Sequence, residues 1–275
     1  MSAQDIALLE SDFAFENINE TLGLEARPSL ASMKTGFSKL FNKFSETPST
    51  NGVTPVANSD FKKALKTLDK VDYSNLTGFT IRTPEYYDGE MLELLNVLEK
   101  TLEPFLDIND RILHPLRNWL ARAVSVEAAA EQFWIGDKAD SVNVPAVMNP
   151  LKSILMGELG DDLAFNDIHK VYPRKGDFRK AVEKIEKLTK TFNDLMAQDI
   201  LGQADAINRY VTTLVESNEA SNFLKEAPKS SIKKLYTFVN AGAHELEAIS
   251  LIGFQIQVAN AAMRDTFKKI DKDLG

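Results

Sequence analysis

The chain has 275 residues, enough for one large domain or two small ones around a sizeable core. It contains no cysteine, which excludes disulfide frameworks, thiol catalysis and zinc-thiolate sites; this fits synthesis in a reducing cytoplasm and equally fits a particle that must survive oxidation. A net charge of -8 argues against a general nucleic-acid binder, because phosphate contact needs a positive surface.

The first 25 residues place Ile6, Leu9, Phe13 and Leu22 at roughly helical spacing, with Phe15 and Ile18 on a neighbouring face, and end at Gly23 before the Pro28 break. Asp5, Glu10, Asp12, Glu16, Glu20 and Glu25 precede any Lys or Arg. That make-up is neither a secretory signal nor an Arg-rich transit peptide, and the chain is expected to start out soluble and intracellular. From Arg27 the sign reverses. Lys34, Lys39 and Lys43 accompany a stripe of Leu30, Met33, Phe37, Leu40, Phe41 and Phe44, with Ser29 able to cap the helix by accepting from a first-turn amide. Such a basic amphipathic helix can insert into a groove on a partner protein, lie on an anionic membrane, or pack on its own body. The acidic stretch before Arg27 and the basic one after it are complementary, so copies can pair head to tail.

Residues 46–58, ETPSTNGVTPVAN, are polar and aperiodic and read as a linker. The body begins near Ser59 with a short helix that turns Phe61, Leu65 and Leu68 inward, followed by LTGFTIRT at 76–83, an extended stretch or short strand with no clear partner. From 90 to 134 an apolar helical pattern is interrupted by Pro104 and Pro115, predicting two or three pieces. Residues 135–172 turn repeatedly, with one short helix expected at 150–158. The spacing of Phe178, Ala181, Ile185, Leu188, Phe192 and Leu195 then gives a helix over 177–198, with Arg179–Glu183, Glu183–Lys187 and Glu186–Lys190 as intrahelical pairs. Another helix carries Ile207, Tyr210, Val211, Leu214 and Val215 inward, and a short one spans 230–239. The last, over 240–272, contains sixteen residues without a charge, AISLIGFQIQVANAAM. A helix apolar nearly all round is a bundle centre or a membrane span, and this run is too short and too often interrupted by Gln255, Gln257 and Asn260 for a span. The expected fold is all-α: an antiparallel helical bundle over 59–275, an N-terminal helical arm over 1–45, and a polar linker over 46–58.

The chemistry expected from the sequence is mostly absence. Neither a phosphate-binding loop, nor a nucleophile elbow, nor a dinucleotide fingerprint occurs. Of the three histidines, none follows a Glu by three residues as a bundle di-iron site requires, and His244-Glu245 does not continue into HExxH. No catalytic residue, cofactor or metal site is expected. Asp161 with Asp162, and Glu245 with Glu247, are badly placed to share a proton and read as solvated surface. His244 reads as a core histidine, and the three amides of the last helix as interhelical hydrogen-bonding groups. Lys170, Arg174, Lys175, Arg179 and Lys180, interleaved with Tyr172 and Phe178, form a cationic patch with possible phosphate contact, although a solvated helix start explains it as well.

Absence of cysteine, an acidic helical body, and an arm followed by the linker ETPSTNGVTPVAN give the chain an organisation that resembles the helical virion structural proteins of large tailed bacteriophages. Head proteins of such phages are often trimmed after Ile or Leu, any residue, then Glu. The pattern occurs here at Leu8-Leu9-Glu10, Ile18-Asn19-Glu20, Leu214-Val215-Glu216 and Leu224-Lys225-Glu226, where ordinary residue usage gives about three such matches by chance. The resemblance implies a non-enzymatic component of a virion head, neck or tail whose partners are other protein subunits, through homo-oligomerisation or assembly. The arm stripe (Leu30, Met33, Phe37, Leu40, Phe41, Phe44) and its lysines (Lys34, Lys39, Lys43) are the expected partner-binding residues. A peripheral membrane-surface protein using 29–44, and a bundle enzyme with an unrecognised pocket, are the alternatives.

Overall fold

A computed structural model describes residues 51–85, 87–124, 141–155, 163–216 and 229–275, with residues 34, 35, 38, 39, 41, 42, 45 and 46 of the arm. In chain order it contains α1 (Asn58–Lys70), β1 (Thr80–Pro84), α2 (Met91–Leu102), α3 (His114–Val124), α4 (Val144–Leu155), β2 (Leu163–Asp167), the single turn α5 (Ile168–Val171), α6 (Lys175–Met196), α7 (Ile200–Glu216) and α8 (Lys229–Leu274). Between these lie 3-10 turns at Tyr73–Leu76 and Glu103–Phe105 and a π-helical turn at Asn109–Leu113. The fold is all-α as expected. Among the described residues the one sheet is the antiparallel pair β1–β2. The helix expected over the first 25 residues lies outside the described residues, as do Asp161 and Asp162.

The helix α8 is the axis. Its 46 residues make a rod of about 69 Å at 1.5 Å per residue. Leu246, Ile249, Ile252, Ile256, Ala259, Met263, Phe267 and Ile270 follow one another at steps of three and four and are all buried. Ala248, Val258 and Ala262 bury a second face, so the helix is enclosed from several sides. By length and hydropathy the stretch Lys234–Leu274 passes for a membrane span, but 83% of its apolar window is covered by the protein itself. The packing direction can be read from two contacts. Phe178 meets Phe267 with ring centroids 5.5 Å apart, and Asn260 Nδ2 donates to Thr189 Oγ1 at 2.9 Å. As α6 climbs, α8 descends, so the two are antiparallel. Helix α1 closes the same end through Phe61, whose ring lies 5.8 Å from Phe267 and 6.3 Å from Phe178.

Several expectations are corrected. The short helix at 230–239 and the long one at 240–272 are a single helix. Gly242 inside it serves close approach: a Cβ there would stand 3.1 Å from Ile112 Cγ2. Pro104 does break the second segment, in the first positions of a 3-10 turn. Pro115 does not, because the chain runs straight from the π-helical turn Asn109–Leu113 into α3, where the His114 amide donates to the Asn109 carbonyl five residues back and the wider turn takes up the proline ring. The helix expected at 150–158 begins earlier, at Val144. Asn143 Oδ1 accepts from the Ala146 amide at 3.2 Å, Pro145 sits in the first turn, and Pro150 is carried inside. The extended stretch at 76–83 does have a partner: β1 pairs with β2, Arg82 opposite Phe165. Of the intrahelical pairs expected on α6, Lys187 reaches instead to Glu99 of α2 at 3.2 Å, alongside Lys184, and Lys190 pairs with Asp194. Hydrogen bonding to Lys184 holds the Glu99 carboxyl below its ordinary range. Of the amides in α8, Asn260 bridges helices as expected, but Gln255 is buried with neither side-chain atom bonded among the described residues, and Gln257 is partly exposed.

Residues 51–57 do more than connect. Val53 and Val56 are buried in the core, against the expectation that this segment has little to bury. Asn193 of α6 holds Val53 as a strand neighbour would: its Oδ1 accepts from the Val53 amide at 2.8 Å and its Nδ2 donates to the Val53 carbonyl at 3.0 Å. Gly52, at φ 93°, makes the turn that presents Val53; a Cβ there would lie 3.3 Å from Asn193 Oδ1. Arg264 of α8 adds a bond to the Thr54 carbonyl at 3.1 Å. Asn193→Ala therefore strands one amide and one carbonyl, and is expected to cost about 1–3 kcal/mol in denaturant unfolding. Limited proteolysis should then cut within 51–57 in the variant well before the wild type; equal protection would show that Val53 and Val56 hold the segment unaided.

Candidate functional site

The described residues bring one dense set of ionised groups into the interior, and it is built where the second helical segment changes pitch. After Pro104 ends α2, the chain passes through the π-helical turn Asn109–Leu113, whose extra residue per turn lets Asn109, Arg111, Ile112 and Leu113 all face inward. Arg111 then meets Glu245 of α8 in a two-pronged pair: Nη1 donates to Oε1 at 2.8 Å and Nη2 to Oε2 at 2.6 Å. The Glu245 side chain is completely buried and that of Arg111 nearly so. Arg111 Nε donates to Asp107 Oδ1 at 3.1 Å and Nη2 to the Pro104 carbonyl at 3.3 Å, while the Val142 amide donates to Glu245 Oε1 at 2.9 Å. Burial alone would weaken the guanidinium charge. The carboxylates of Glu245 and Asp107 outweigh it, and the Arg111 pKa stands above its ordinary value.

The surroundings tie this node to the α6–α7 junction. Asn109 Nδ2 donates to the Gln198 carbonyl at 3.2 Å, and Arg117 Nη1 to Gln203 Oε1 at 2.8 Å. Asp199, between the two helices, takes the left-handed conformation at φ 58°, which Asp tolerates better than most residues. The arrangement locks four elements together. Both Glu245 oxygens and all three Arg111 nitrogens are engaged, so the pair offers neither a free base nor a free donor. Burial also pushes the Tyr73 and Tyr172 phenols up, away from phenolate chemistry. A cavity of about 440 Å³ opens between residues 51–55 and the end of α6; of its polar lining residues Asn51, Thr54 and Asn193, the last is already held by Val53. Among the described residues no cluster of three His, Asp or Glu could hold a metal ion.

Glu245 and Glu247 are corrected from solvated surface to buried groups, 0% and 3% exposed. Their adjacency pointed outward, yet Glu245 stands four residues before Ile249, on the core stripe itself. The cationic patch is largely matched by acids. Lys170 pairs with Asp88, Lys175 with Asp69 at 2.6 Å and Arg174 with Asp177 at 3.9 Å, while Arg179 and Lys180 are exposed on α6. Hydrogen bonding to Lys175 lowers the Asp69 pKa. Of the arm residues, Lys34 pairs with Glu216 at the end of α7, Phe41 is buried against the core at 8% exposure, and Lys39 is exposed. Ser38 Oγ donates to Asn208 Oδ1 at 2.7 Å. Leu30, Met33, Phe37, Leu40, Lys43 and Phe44 lie outside the described residues.

Removing one partner of the buried pair leaves an uncompensated charge in the interior, at a cost of about 3–5 kcal/mol. Arg111→Met and Glu245→Leu are each expected to lose that much in urea unfolding, and the double variant to recover most of it. A double variant as unstable as the sum of the two would mean that Arg111 and Glu245 are not coupled and that each loss comes from the residue's other contacts. No protein-family model, curated protein or solved structure matches this chain.

Proposed function

We propose that this protein is a non-enzymatic subunit of a macromolecular assembly, in which residues 1–45 contact neighbouring subunits and the helical body forms the unit being joined. The observation that carries the reading is how the described arm residues meet the body. One ion pair, Lys34 with Glu216, one hydrogen bond, Ser38 with Asn208, and the buried Phe41 seat a helical segment on α7. Exposed ion pairs contribute about 0–1 kcal/mol, so between Lys34 and Phe41 the larger share of the hold falls on Phe41. A helical segment seated on the outside of α7 can take the same seat on another copy, the route by which identical elements swap between protomers. The buried Arg111–Glu245 pair supports the same reading from the other side, since its polar atoms are spent on holding helices together. Resemblance to helical virion proteins makes a tailed-phage particle the proposed setting.

Deleting residues 1–45 is expected to leave a helical body that stays monomeric in sedimentation velocity where the full chain associates. Phe41→Ala should weaken association in the same direction with far-UV circular dichroism unchanged. Full association without the arm would remove the proposal, and flotation of the intact chain with anionic liposomes would transfer the arm to a membrane role.

A further inference from the structure

The face of the β1–β2 pair away from the core carries a group of side chains that the assembly reading leaves without a task. Phe165 is 59% exposed, more than any other large apolar side chain among the described residues. Arg82, its cross-strand partner, lays its guanidinium 4.0 Å from the Phe165 ring centroid, and Lys269 of α8 stands 5.8 Å from the same ring and 5.3 Å from that of Phe79. The cations are positioned by neutral groups. Arg82 Nη1 donates to the Leu163 carbonyl at 2.6 Å, and Lys269 Nζ to Thr80 Oγ1 at 3.2 Å. Asp167, the acid at this end of β2, is occupied in accepting from the Gly78 and His169 amides. Neither Arg82 nor Lys269 has a carboxylate partner among the described residues, although acids outnumber bases in the chain by 40 to 32. Two positive charges held around an exposed ring on one side of a two-stranded sheet are suited to an acidic segment that also carries apolar side chains.

The sequence contains such a segment. Residues 1–26 hold six carboxylates and no Lys or Arg, with Phe13, Phe15 and Ile18 set among Asp12, Glu16 and Glu20. We infer that the Arg82–Phe165–Lys269 face receives the acidic segment of a second copy, its carboxylates on Arg82 and Lys269 and its aromatic or aliphatic side chains against the open side of Phe165. The inference rests on the assembly reading above and gives it a donor, a receptor and a direction. Head-to-tail contact of this kind is heterologous, so it propagates from copy to copy until geometry closes a ring or extends a filament. Net charge of the whole chain favours this occupant over single-stranded nucleic acid, for which two cations and one ring make a meagre site on a protein of charge -8.

The test uses the full-length chain. Isotopically heavy and light protein are mixed and treated with a carbodiimide, which joins a carboxylate to Lys269 Nζ without a spacer. The expected product links Lys269 of one isotope to an acid within residues 5–25 of the other. Lys269→Glu and Phe165→Ser, each with unchanged circular dichroism, should weaken association about tenfold by sedimentation, since like charge at a contact is repelled. Adding Glu16→Lys and Glu20→Lys to Lys269→Glu should restore it. If deletion of residues 1–45 abolishes association while neither face variant alters it, the inference falls and the assembly reading stands; if the deletion also has no effect, both fall. Cross-links confined to a single chain overturn it, as does binding of oligothymidylate that Phe165→Ser removes while association stays unchanged.

Discussion

A helix that is buried along both faces can exist in water only if other helices reach it along most of its length. In α8 that demand sets the architecture. Each fully buried Ile, Leu or Phe contributes about 1.5–3 kcal/mol relative to exposure, and six such positions recur between Leu246 and Ile270. The chain meets the demand from three sides. Aromatic residues of α1 and α6 close one end around Phe267, β1 lies along α8 at Thr266, and the π-helical turn meets it at Glu245. Thr266 shows how tightly the strand is held, since its hydroxyl, bonded to the Ala262 carbonyl at 2.9 Å, also lies 3.4 Å from the Arg82 carbonyl. The exposed face of the sheet is thus presented by the same packing that hides the inner one.

Apolar burial is indifferent to register, and a smooth rod of isoleucines can slide or rotate against its neighbours. The polar groups set into α8 remove that freedom. Arg111 and Glu245 make three of their contacts only at one rotation and one height of α8, and Asn260 with Thr189 fixes a second level. Buried ion pairs are weak as stabilisers because desolvation offsets their attraction; their better-attested role is to select one arrangement among several that bury similar area. Gly242 against Ile112 acts sterically to the same end.

What the sequence made legible follows from which forces are local. Spacing alone located α6, because Phe178 through Leu195 all point one way and nothing interrupts them. Pro104 was readable as a break, since its effect depends on its own ring. Pro115 carries the same chemistry but follows directly on a π-helical turn that keeps the backbone helical, and that turn has no sequence signature. β2 was missed because LAFND has neither alternation nor a β-branched run; it is a strand by virtue of β1, a partner 83 positions away at Arg82 and Phe165. Arg111 does not stand out in the sequence, although it lies within an apolar stripe, three residues after Ile108. Glu245 was judged by its neighbour Glu247 when its position on the stripe of Ile249 and Ile252 was the better guide. In both cases the charge is buried because the other charge is there, and a pairing across 134 residues leaves no trace in local periodicity. On the arm, the places where Lys34 and Ser38 meet α7 were not legible, since Asn208 and Glu216 look like any exposed residues of a helix.

The two levels of stability suggest how the parts divide their work. The body is held by many apolar contacts and a buried, register-setting pair, so its shape is fixed independently of what it joins. Arm and sheet face are the opposite. Among the described residues the arm meets α7 through Lys34 and Ser38, and the sheet face offers charges partnered by carbonyl and hydroxyl oxygens. Contacts of that kind are individually weak in water and sensitive to salt, and they become consequential when many identical copies engage at once, because each engaged neighbour raises the effective concentration of the next. A rigid body with weak, repeated, complementary ends is what ordered assembly from one chain requires: stiff units transmit geometry, and labile joints allow misplaced ones to leave.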